Sequence, residues 1–113
     1  MKSQTINLER NFPTSSEAML RLSQELRLAR CSRTQVLKVI HGYGSTGKGG
    51  VIKAAALKLL EERRRAGQLR HYVRGEDFTP FTDAGRRAVE LVPELRRDLD
   101  YGRQNDGVTI GIF

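Results

Sequence analysis

One stretch limits what this chain can fold into more than any other: Val36-Leu37-Lys38-Val39-Ile40-His41-Gly42-Tyr43-Gly44-Ser45-Thr46-Gly47-Lys48-Gly49-Gly50. Its first five residues are apolar but for Lys38, which predicts a strand that is central in a sheet or covered on both faces. Five glycines then fall among the nine residues 42–50. A strand-to-helix turn needs one or two for positive φ, so the excess points to close backbone approach to an anion. From Val51 a helical period takes over, with Ile52, Ala55, Ala56, Leu59 and Leu60 on one stripe as far as Arg65. Free amides of the loop and of the helix start would face the anion, and Lys48 adds charge.

The remaining elements follow from local pattern. Thr5-Ile6-Asn7-Leu8 alternates as a short strand ending near Glu9 and Arg10, and Phe12-Pro13 breaks it. Thr14 and Glu17 have the spacing of a capping box, and Met19, Leu22, Leu26 and Ala29 share a face of the helix that follows. Gly67 is placed to end the second helix. A third strand is expected around Leu69–Val73, a helix over Asp83–Leu91, a short turn from Pro93 and a final strand over Gly107–Phe113. The order is βαβαβ(α)β. It predicts a two-layer α/β sandwich of one domain, residues 1–113, with helices on one face of a small four-stranded sheet. The helical stretch at about 82–99 reads as an insertion before the last strand. Its role is open: covering a sheet edge, closing over the loop, or meeting a partner.

Charge narrows the partner. The formal net charge is +7, and 15 arginines outnumber 5 lysines. The planar arginine fork suits phosphate, so nucleic acid is the expected partner ahead of a membrane or an acidic protein. The single cysteine, Cys31, excludes an internal disulfide and a multi-thiolate metal site. No run approaches the roughly 20 apolar residues of a membrane span, and residues 1–7 lack a secretory signal's apolar core. A cytoplasmic location is the default expectation, with no stable protein partner predicted.

Gly42-x-x-x-x-Gly47-Lys48 matches the front of a nucleotide-binding P-loop, but Gly49 stands where the magnesium-holding Ser or Thr should follow. A P-loop-like nucleotide binder is therefore the weakest reading. The whole segment instead resembles the small MutS-related (Smr) domain. That family carries a His-Gly-x-Gly signature after an apolar strand, here His41-Gly42-Tyr43-Gly44, and closes on a strand like Gly107-Val108-Thr109-Ile110. The resemblance covers roughly Ile6 to Phe113. The family's first strand usually reads Leu-Asp-Leu-His; here Ile6-Asn7-Leu8-Glu9 puts an amide and a carboxylate in place of the acid and the imidazole.

The resemblance implies a mixed sheet like that of the C-terminal domain of translation initiation factor 3, with the last strand antiparallel and internal. It implies binding of DNA or RNA, and for some members endonuclease cleavage or nicking of structured substrates or action at the ribosome. Other members bind without cutting, and both readings stay open. Cleavage would need a base, an acid and cations for the developing charge. His41 and Glu9 are the catalytic candidates. Gly42, Tyr43, Gly44, Lys48, Gly49, Gly50, Arg63 and Arg64 are the candidates for holding phosphate or nucleic acid. His71 is expected to be structural. Glu76, Asp77 and Asp106 lie too far apart in sequence to predict a metal site, so no metal ligand is named, and a divalent cation stays open as a cofactor.

Overall fold

The computed structural model describes residues 1–11, 13–42 and 48–113, with main chain alone at 48 and 49. Strand β1 spans Ser3–Asn7, helix α1 Ser15–Cys31, β2 Val36–Ile40, α2 Lys48–Arg65, β3 His71–Arg74, α3 Asp83–Leu91 and β4 Val108–Ile112. Two short 3-10 turns, Gly75–Asp77 and Pro93–Arg97, flank α3. No helix among the described residues is long and apolar enough to cross a membrane.

The sheet runs in the order β1-β2-β4-β3. β1 and β2 are parallel, while β4 lies antiparallel between β2 and β3, pairing Ile40 with Val108 on one side and Arg74 with Thr109 on the other. The carboxyl ends of β1, β2 and β3 and the amino end of β4 therefore meet at one edge. The expected mixed sheet with an internal antiparallel last strand is found.

α1 starts at the capping box: the Glu17 amide donates to Thr14 Oγ1 at 3.1 Å and the Thr14 amide to Glu17 Oε1 at 3.3 Å. Two orphan amides are satisfied reciprocally. α1 and α2 end alike. In α2 the amides of Gly67 and Gln68 return to the carbonyls of Arg64 and Arg63; in α1 those of Arg33 and Thr34 return to Arg30 and Ala29. Each is a Schellman closure needing a left-handed residue after the cap. Gly67 supplies it with φ +75°, but α1 uses Arg33 at φ +57°, which costs a side-chain-bearing residue roughly 1 kcal/mol.

The two sheet faces carry separate cores. Leu37 and Val39 of β2, with Leu8, pack under Leu22 and Leu26 of α1 and Ile52, Ala56 and Leu60 of α2. Val36, Val73, Ile110 and Ile112 face Phe78, Ala88, Val89, Val92 and Leu95. The 83–97 segment thus lies over the sheet's second face, adding a layer to the expected sandwich rather than covering a sheet edge. The physical reason is alternation along the strands, which gives β2 and β4 two apolar sides to bury. Lys38, on that second face, is matched from below: its Nζ donates to Asp98 and Asp100, each at 2.7 Å, and Asn105 Nδ2 donates to Asp100 at 2.9 Å. His71 Nε2 donates to the Ala84 carbonyl at 3.0 Å, tying β3 to α3.

Candidate functional site

The strand edge where β1, β2 and β3 end is where open α/β sheets present ligand sites, because loops and helix starts converge there. His41 is the first residue past β2, and it is wholly buried. Its Nδ1 lies 3.1 Å from the Gly42 carbonyl and its Nε2 lies 2.8 Å from Thr109 Oγ1. A carbonyl can only accept, so Nδ1 carries the proton and Nε2 accepts from the Thr109 hydroxyl. Thr109 is itself buried, one strand over in β4. The amides of His41 and Gly42 both donate to the Gly107 carbonyl at 3.0 Å.

The imidazole is held neutral. Burial lowers its pKa below 6.5; the Gly42 carbonyl pulls upward, Lys53 adds to the lowering, and Glu76 and Glu9 raise it without reversing the balance. His41 was read from the sequence as a group for acid or base work. The structure places it out of reach of solvent with both nitrogens occupied.

Glu9 is brought to the same place. Asn7 Oδ1 accepts from the Glu9 amide at 2.9 Å, turning the chain as β1 ends, and Arg21 Nη2 holds the Asn7 carbonyl at 3.1 Å. The exposed Glu9 side chain then lies against the α-carbon of Gly42: its carboxylate fills the space a Cβ there would take. Gly42 also has φ +83°. The positive φ disfavours a side chain at this position, and any Cβ there would also have to displace the Glu9 carboxylate.

Sequence reasoning did not single out Lys53, and it weighed Glu76 only as a metal ligand. Lys53 Nζ, one turn into α2, donates to Glu76 Oε2 at 2.8 Å and to the Asp106 carbonyl at 2.9 Å. Burial alone would raise the Glu76 pKa, but Lys53 and the main-chain amide of Glu76 hold it below the ordinary value. Glu76 Oε1 is a buried oxygen without a hydrogen-bond partner among the described residues. No group of three or more His, Cys, Asp or Glu among those residues converges as a metal site. Among the described donors at this edge, one Glu76 oxygen is occupied by Lys53.

The other candidates divide. Tyr43 and Gly44 lie outside the described residues. Lys48 and Gly49 open α2 and Gly50 is exposed in its first turn, at the same edge as His41. Arg63 and Arg64 do not belong to this edge. They lie 15 and 16 residues further along α2, roughly 22 Å from its start at 1.5 Å per residue. Arg64 is engaged with Glu61 through Nε at 2.8 Å and Nη2 at 2.7 Å. That pair, with Arg65, draws the Glu61 carboxyl down to about 2. Arg63 Nη2 donates to Ser23 Oγ at 2.9 Å.

No protein-family model matches the chain, and no curated protein matches it. Among solved structures the chain is similar to the Smr domain of Thermus thermophilus MutS2, with 20% identity, a TM-score of 0.57, and coverage of 96% of this chain and 95% of that one. A likeness at that identity speaks to architecture, and it extends over nearly the whole length of both chains. The chain has the fold of an Smr domain.

Proposed function

We propose that this chain is an Smr-type domain that binds DNA or RNA by its phosphodiester backbone at the carboxyl edge of the sheet. The observation that carries the reading is convergence. The end of β2 with its left-handed Gly42 and the start of α2 with Lys48 share one edge, and the first turn of α2 holds no acidic residue. A helix start free of carboxylates favours an anion, and a net charge of +7 favours a polyanion over a lone one.

His41 acts here as a positioning residue. Its ring bridges the Gly42 carbonyl and Thr109, which holds the turn that starts the loop. The test is fluorescence anisotropy with labelled hairpin RNA and DNA across a salt series. Affinity should fall steeply with salt, and Lys48→Ala should weaken binding and reduce the slope of log K against log salt by about 1. Binding that ignores salt, or no saturable binding at low salt, overturns the reading.

Endonuclease cleavage is a second reading, favoured by the exposed Glu9 carboxylate beside Gly42. Glu9 would take the proton of an attacking water. His41, the other catalytic candidate, is buried with both ring nitrogens engaged and so is poorly placed to serve the leaving oxygen, which makes binding without cutting, to nucleic acid free or within the ribosome, the better supported function. Incubation of the same labelled substrates with magnesium, and with chelator, decides. Products that vanish in Glu9→Gln would establish cleavage; intact substrate throughout leaves a binding module.

A further inference from the structure

The end of the molecule opposite the His41 edge carries a second basic surface. Two open clefts of about 450 and 400 Å³ adjoin there, sharing Arg30, Gln68 and Phe113 in their walls. Lys2, Arg33 and Arg70 line the first, Arg27 and Arg63 the second, and no carboxylate side chain lines either. Two of these cations are already occupied: Lys2 Nζ donates to the Ser32 carbonyl at 2.5 Å and Arg63 to Ser23. None of the six takes part in an ion pair among the described residues, and neither does the α-carboxyl of Phe113.

Helix dipoles account for part of this charge. Both α1 and α2 end here, and each terminus carries about half a negative charge, which a cation or two offsets. The count exceeds that need. Lys2 and Arg70 belong to neither helix: they precede β1 and β3.

Arg33 is a separate argument. It holds the left-handed position of the α1 closure, where α2 uses Gly67, and both residues line the same cleft. A glycine there would relieve the backbone, so a cation kept against strain points to a use for the side chain.

We infer that this cleft is a second nucleic-acid contact, taking a stretch of phosphodiester backbone separate from the one at the His41 edge. The inference rests on the reading that nucleic acid is the partner, and it assigns Arg30, Arg33 and Arg70 as the phosphate-facing groups. Arginine suits this task because its fork pairs with two phosphate oxygens at once.

The test compares the full chain with the variant Arg30→Gln/Arg33→Gly/Arg70→Gln and, separately, Lys48→Ala, by anisotropy of a labelled 20-base-pair duplex over a salt series. The triple variant should lose about 2 to 3 from the salt slope, close to 0.9 per phosphate contact removed. It should bind at least tenfold more weakly at low salt. The single variant Arg33→Gly should melt no lower than the parent while binding more weakly, which separates lost contact from lost fold. Unchanged slope and affinity in the triple variant, with Lys48→Ala still weakened, would remove the second contact and leave the proposed function standing. Absence of binding by the parent chain would remove both. Loss of stability in Arg33→Gly would return that arginine to a structural role and overturn its assignment.

Discussion

A buried imidazole with both nitrogens engaged responds to acid differently from one in solution. The unfolded chain takes up a proton at His41 near pH 6.5. The folded chain resists it, because burial lowers the pKa ahead of the smaller effects of Gly42, Lys53, Glu76 and Glu9. Below pH 6.5 the unfolded state therefore binds more protons, and stability falls as the pH drops from there through the folded-state pKa. Urea unfolding at pH 7.5, 6.5 and 5.5 should show this decline in the parent chain and a flatter profile in His41→Gln. Equal slopes would mean that His41 is not the titrating group. The same geometry limits Thr109: its hydroxyl serves the ring, so its importance lies in holding the turn and not in contact with a ligand.

At the scale of elements, the packing of α3 and its flanking turns on the sheet depends on one polar group in an apolar strand. Burial would lower the Lys38 pKa, but the hydrogen bonds of Asp100 and Asp98 outweigh it and the net effect is upward. Asp100 is lowered against its own burial by Lys38 and Asn105. The Asp100 contribution is thus present above about pH 4 and is lost as pH falls through its folded value; that of Lys38 is present below about pH 10 and is lost as pH rises beyond it. Lys38→Met leaves two carboxylates with side-chain exposures of 18% and 12% unpaired. The expected cost at pH 7 is on the order of 2 kcal/mol. Denaturant melts of parent and variant should differ by that amount, and the gap should close below pH 4. A gap that persists in acid would mean the loss is one of packing.

For the molecule as a whole, the two basic ends stand about 27 Å apart along the 18 residues of α2, close to the rise of about eight base pairs. Strands of about four nucleotides cannot span that length. In amide-shift titrations at low salt they should perturb two separate groups of residues, one around Gly42 and one around Arg33 and Gly67. Perturbation confined to the first group would argue for one contact. Much of this architecture was legible in the sequence where signals are local: the capping pair Thr14 and Glu17, the apolar run of β2, Gly67 at a helix end. The third layer was not, because the apolar face of 83–97 says nothing about which surface it meets. Lys38 was the hint, and its partners Asp98 and Asp100 come some 60 residues later. Glu9 and His41 were legible as a pair through the resemblance. Lys53 and Glu76 were not, since only the fold brings them together. Arg63 and Arg64 belong to the far end of α2, which helix rise alone separates from Lys48.

The position of β4 also sets an order of assembly. β2 and β3 share no pairing: β2 finds its second partner, and β3 its only one, in Val108–Ile112. While the chain is being made, β1 and β2 can pair and α1 and α2 can close over them. β2 then keeps one row of backbone groups unsatisfied until residues 108–112 have left the ribosome. Folding of the sheet must wait for that moment, and a nascent chain stalled before it would expose an open strand edge to its neighbours.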